Sequence, residues 1–366
     1  MAKSLIFLLQ TVFIFGFNID EKLILSDDNK MEIKKAIANT PDSQLPGMTW
    51  LIKNMPEDDL KVLSSEFLLT NCNLSYKVWT EMKWGVDIPE HIFFDGILPY
   101  ANLNERRDNW RKEFYTKFYP VVKKSKSAYE AAALLNQKIF EMVGVIYSTK
   151  RPKADQSPYE SIEAGMASCT GLSILLIDAC RSVGIPARFV GIPSWYNDSG
   201  NHSWVEIWDN GWHFTGAAEP TESRLNEAWF LDLASQAKKG DMKYGIFAVT
   251  WSQSDMYFPM DWLPGVNKYR GLDITERYAN IIYSDELVPI RIRALNEKGL
   301  REAVKVTIVS DDNLKYEGTS KDQTCDLNDH LTFMLPKGKK FEVRAGESVI
   351  MIDVNDEKII DLKSKK

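Results

Sequence analysis

The sequence predicts an α+β fold in three parts: a helical N-terminal half, a mixed centre and an all-β C-terminal end. Residues 26 to 145 carry apolar side chains at helical spacing, residues 169 to 221 run from one strongly apolar helix into short strands, and the chain beyond about 286 alternates apolar and polar residues. The 366 residues leave room for two or three domains and a sizeable core. A balance of 44% hydrophobic and 26% charged residues fits a soluble globular protein rather than disorder or a multi-span membrane protein. The net charge of -6 gives no footprint for nucleic acid, whose binding needs clustered Lys and Arg to displace phosphate counterions.

The first element, within residues 1 to 20, has the outline of a signal peptide or N-terminal anchor. Lys3 precedes an apolar run from Leu5 to Phe17, and the polar stretch from Asn18 follows it. The run is short for a bilayer span, yet no small-x-small cleavage site follows, so an uncleaved membrane anchor stays open. The expectation is an exported protein: periplasmic, cell-surface or secreted.

The helical region, residues 26 to 145, includes MEIKKAIAN and AYEAAALLNQKIFEMVGVIY. Asp58 and Asp59 after Pro56 mark a helix start, while Pro89, Pro99 and Pro120 punctuate later pieces. The stretch from Leu98 to Tyr119 mixes Arg, Asp, Asn and aromatics and reads as a solvated helix surface, with the lining of a cleft as the alternative.

The central part, residues 146 to 285, holds the chemistry. Residues 169 to 183 form an apolar helix with Ser168 as N-cap and Gly184 as a left-handed stop. Residues 185 to 192 read as a buried strand, and HSWVEIW and WHFTGAA flank Asp209-Asn210-Gly211 as a hairpin. A two-residue loop at Asn210-Gly211 would set Asp209 opposite Trp212 and, counted outward, His202 opposite Glu219 on one face.

A helix start stabilises a thiolate with its free N–H groups and positive dipole end, which makes Cys169 the candidate nucleophile. Cys180, further along on an apolar face, reads as core. His202 is then the base and Glu219 the acid that fixes its tautomer. His213 falls about 20 Å along the hairpin at strand rise, and Glu206 stands four residues away, so neither competes. His91 and His330 read as structural or surface residues. The backbone N–H of Cys169 is a first oxyanion donor, with no second assigned. Trp195 and Trp204 are candidate substrate-binding walls, with plain core packing as the alternative for either. The four cysteines are too scattered for a disulfide framework and lack zinc spacing, so no metal is expected.

These motifs resemble a known family. Cys169 opening a helix, then Gly184-Ile185-Pro186-Ala187-Arg188, His202-Ser203-Trp204-Val205-Glu206 and Glu219-Pro220-Thr221, are similar in kind and order to the transglutaminase-like superfamily of papain-like thiol enzymes. One departure is Glu219, where the family usually has Asp. The resemblance implies a papain/transglutaminase-like core that attacks an amide carbonyl, forms a thioester and needs no metal or organic cofactor. Hydrolysis by a peptidase or amidase is the favoured outcome, on a protein, peptide or cell-wall peptide. A protein-glutamine gamma-glutamyltransferase and a catalytically silent binding or scaffold protein are the alternatives.

The last part, residues 286 to 366, carries VPIRIRAL, AVKVTIVS, LTFMLP, KFEVRA and SVIMIDV separated by turn residues. This is the pattern of a β-sandwich, expected as an accessory domain.

Overall fold

The computed structural model describes residues 19–279, 286–312 and 314–364. The N-terminal apolar run lies outside the described residues. Among those described, no helix is long and apolar enough to cross a membrane.

The fold is α+β, with helices in the N-terminal half and mainly antiparallel sheets after them. The larger helices are α1 (Lys30–Asn39), α2 (Leu45–Asn54), α3 (Ser65–Glu81), α4 (Arg111–Val122), α5 (Ala128–Val143) and α6 (Cys169–Ser182). Side-chain caps open two of them: Ser64 accepts from the N–H of Phe67, and Ser127 from that of Glu130. Every residue of α6 after Cys169 is buried, as expected of a helix that is apolar on all sides. It packs against α3, α4 and α5 as well as the sheet, and Gly184 at φ +74° ends it. One continuous apolar core joins these helices to the sheet, so the helical half encloses the helix that Cys169 opens.

The stretch from Leu98 to Tyr119 corrects the expectation of a solvated helix surface. Residues 101 to 110 are irregular, and Asn102, Glu105, Trp110 and Arg111 are buried. Irregular buried backbone leaves carbonyls without ladder partners, and guanidinium groups with five donors can satisfy them. Arg111 donates to the carbonyls of Ile97 and Pro99, and Arg181 of α6 to those of Gly96 and Ala101. The charges therefore hold an interior loop together.

The central sheet contains β1 (Ala187–Ile192), β2 (His202–Trp208), β3 (Trp212–Thr215), β4 (Phe247–Val249), β5 (Met256–Tyr257) and β6 (Arg270–Asp273), antiparallel in the order β3-β2-β1-β4-β6-β5. Two of the motif residues lock its register. Arg188 of β1 lies opposite Glu206 of β2 and donates to its carboxylate from Nε and Nη2 at 2.8 and 2.6 Å, deep in the interior. Arg277 and Tyr278 bind the other oxygen of Glu206, so this buried charge is fully met.

The hairpin differs by one place from the sequence expectation. Trp208 pairs with Trp212 and Val205 with Thr215, leaving a three-residue loop with Asn210 at φ +54°. The reason is Asp209, whose carboxylate accepts from the N–H of Tyr129 in the first turn of α5. That helix-start interaction draws Asp209 out of the ladder.

Beyond it, β7 (Leu287–Leu295), β8 (Lys305–Ser310), β9 (Lys315–Thr319), β10 (Leu331–Pro336), β11 (Lys339–Ala345), β12 (Ser348–Val354) and β13 (Lys358–Lys363) form two facing sheets. Their orders are β10-β7-β13 and β9-β8-β11-β12, around an apolar core of their own. Strands β9 and β13 lie outside the runs singled out in the sequence.

Candidate active site

Cys169 is the first residue of α6 and is half-buried. Ser168 holds the N-cap position with an extended backbone, but its hydroxyl donates to the carbonyl of Ala154 at 3.3 Å and caps nothing. Cys180 is fully buried, and burial pushes its thiol far above the usual range, as expected for a core cysteine. His202 opens β2 opposite Ile192 and is 1% exposed. Its Nε2 stands 3.7 Å from Oε2 of Glu219, so the two residues paired on sequence grounds do meet.

They meet by a different route. The ladder ends at Thr215, and a turn over Gly216–Ala218, with Ala218 at φ +64°, swings Glu219 back toward β2. Asn136 of α5 holds that turn: its amide donates to the Gly216 carbonyl at 2.8 Å and accepts from the Ala218 N–H at 2.9 Å. A Cβ on Gly216 would lie 1.9 Å from Oε2 of Glu219, so only glycine lets the carboxylate pass this close. Trp229 donates from its indole to the same oxygen at 2.8 Å, which fixes the carboxylate.

A second carboxylate reaches the imidazole from the C-terminal sandwich. Asp326, 3% exposed, places Oδ2 3.6 Å from Nδ1 of His202. Cys169 Sγ, a His202 ring nitrogen and an Asp326 oxygen lie within 4.8 Å of one another. This loop, between β9 and β10, is tightly held. Arg301 donates to the carbonyls of Cys325, Asp326, Leu327 and Asp329. Tyr147 accepts from the Leu327 N–H at 3.0 Å, and Asn328 donates to the Asn201 carbonyl at 2.9 Å.

Burial of His202 opposes its protonation, but the charges of Glu219 and Asp326 outweigh it and raise the imidazole well above its ordinary range. Asp326 is likewise opposed by burial, and the imidazolium beside it holds it below the usual carboxylate range. The site favours an ionised imidazolium flanked by two carboxylates.

Trp195 and Trp204, expected as substrate-binding walls, are fully buried and present no face to a ligand. They flank the imidazole at ring-centroid distances of 6.3 and 6.0 Å, with Trp229 at 4.8 Å and Phe230 at 5.0 Å. Small sheets pack their largest aromatics inward, and here that packing forms an apolar box around the imidazole. His213 is engaged elsewhere, with the Asp209 carbonyl and the Asn226 amide. Asp326, Asn136 and Trp229 escaped the sequence reading; the only local hint was the polar Asp322–His330 loop interrupting the strands.

The site thus sets a helix-start thiol near an imidazole on an antiparallel sheet, within an α+β fold. Residues 117–216 match the transglutaminase-like superfamily. Glu219 and Asp326 lie beyond the matched stretch. Among solved structures, the chain is similar to a candidate cysteine protease from Cytophaga hutchinsonii, with 20% identity over 37% of this chain and 44% of that one at a TM-score of 0.30. A candidate protease from Parabacteroides distasonis shares 11% identity over 66% of this chain and 36% of the other, with a TM-score of 0.29. The chain thus spans less than half the length of each. No curated protein matches it.

Proposed function

We propose that the protein is a cysteine-dependent amide or peptide hydrolase in which Cys169 is the nucleophile, His202 the general base and acid, and Glu219 the orienting carboxylate. The observation that carries this reading is the 3.7 Å approach of Glu219 to Nε2 of a buried imidazole whose cluster includes a helix-start thiol. With Nε2 turned to Glu219, Nδ1, which stands beside Asp326, is the nitrogen that exchanges protons with Cys169.

The thiolate adds to the amide carbon, and the oxyanion is met by the backbone N–H of Cys169 at the positive end of α6. The C–N bond breaks as the imidazolium gives its proton to the departing amine, leaving a thioester. Water then gives a proton to His202 and its hydroxide to the thioester carbon, and the C–S bond breaks to restore the thiolate. Because His202 and Asp326 are almost fully buried, the Asp326 loop must lift for a leaving amine to reach Nδ1. The C-terminal sandwich therefore acts as a gate on the site, beyond an attachment role.

Export, with a protein, peptide or cell-wall peptide as substrate, fits the N-terminal pattern. The test is to incubate the protein with a protein-derived peptide library and follow cleavage by mass spectrometry, with and without an added primary amine. New carboxyl termini that vanish in Cys169→Ala support hydrolysis. Products carrying only the added amine would move the assignment to transglutamination, and no product of either kind would remove the enzyme reading.

A further inference from the structure

The cluster of Cys169, His202 and Asp326 has a second property. Its thiol, imidazole and carboxylate come from the start of α6, the start of β2 and the sandwich loop, and their ligand atoms lie within 4.8 Å of one another. The separation of Nδ1 from Asp326 Oδ2, 3.6 Å, lies close to the nitrogen–oxygen edge of a tetrahedral zinc site, about 3.3–3.5 Å for bonds of about 2.0–2.2 Å. Independently, among the described residues neither ring nitrogen of His202 has a partner at hydrogen-bonding distance, although the ring is 1% exposed. The two carboxylates meet the ring only across 3.6 and 3.7 Å, and a cation among the three groups would ligate one nitrogen directly.

The other nitrogen is provided for as well. Glu219, anchored by Trp229, stands at Nε2 where an outer carboxylate orients a metal-bound histidine. A mixed sulfur, nitrogen and oxygen set suits zinc or cobalt over magnesium or calcium. Spacing along the sequence could not reveal these ligands, because they lie in three distant segments.

We propose that Cys169, His202 and Asp326 bind a zinc ion, which holds the sandwich loop down on the site and silences the thiol. The inhibitory consequence rests on the reading of Cys169 as nucleophile; the binding itself does not. On binding, the thiol and any imidazolium release their protons to solvent, and no oxidant or reductant is involved.

The test is to titrate the full-length, chelator-treated protein with cobalt(II), reading the thiolate-to-cobalt charge-transfer band and its displacement by zinc. Expected are stoichiometric binding, loss of the band in Cys169→Ser, and affinity at least about tenfold weaker in Asp326→Ala and Asp326→Asn, each checked for folding by circular dichroism. Absence of the band, or full affinity in folded Asp326 variants, would overturn the site. Hydrolysis measured in chelator reads the thiol chemistry alone, so cobalt binding without hydrolysis would defeat only the proposed function. Hydrolysis unaffected by bound zinc would overturn the inhibitory role.

Discussion

Asn136 of α5 grips the turn that carries Glu219 to His202, through both the Gly216 carbonyl and the Ala218 N–H. The helical half thus positions Glu219 from a distance, without touching the imidazole. Removing this amide leaves two backbone groups of the turn without their side-chain partner, at about 1–3 kcal/mol for each that stays buried. Asn136→Ala is expected to lower turnover about tenfold or more through misplacement of Glu219, with KM little changed; steady-state kinetics on a cleaved peptide check it.

Gly216→Ala tests the close approach directly. The new methyl must displace the Glu219 carboxylate, because 1.9 Å is inside any tolerable contact. The variant should keep its fold by circular dichroism yet lose reactivity at Cys169 about as far as Glu219→Ala does. Full reactivity would mean that Glu219 is not needed where it stands.

Arg301 gathers four carbonyls of the loop that seats Asp326. Arg301→Ala should loosen the loop and speed alkylation of Cys169 in chelator. Hydrogen exchange at residues 322–330 should rise in the same variant, while exchange in α6 stays slow.

Burial raises the carboxyl of Asp329 to about 6, against the favourable charge of Lys321. The folded state therefore holds this proton more tightly than the unfolded chain does. Its contribution to stability is full below about pH 4 and is lost as pH rises through about 6. Melting temperatures of the wild type should fall relative to Asp329→Asn between those limits, since the amide carries no proton to lose.

The sequence exposes what is local. Cys169 is legible because a helix start can be read from Ser168 and the apolar run behind it, and Gly184 marks the stop. The pairing of His202 with Glu219 emerged from a two-residue hairpin, whereas the chain uses a three-residue loop and a separate turn. The register error came from Asp209, which serves α5 instead of the hairpin, a long-range contact that no turn rule contains. Asp326 and Asn136 stayed hidden for the same reason: each reaches the site from another layer of the fold. Trp195 and Trp204 were legible as neighbours of the site but not as interior ones, because spacing alone does not tell an inward face from a cleft wall.

The most direct test of the central claim is the rate of iodoacetamide alkylation in chelator, located by mass spectrometry, in the wild type, His202→Ala and Glu219→Gln. Fast labelling confined to Cys169, slowed about a hundredfold in His202→Ala and less in Glu219→Gln, is expected of a thiol activated by its imidazole. Equal, slow labelling of Cys169 in all three proteins would contradict the account.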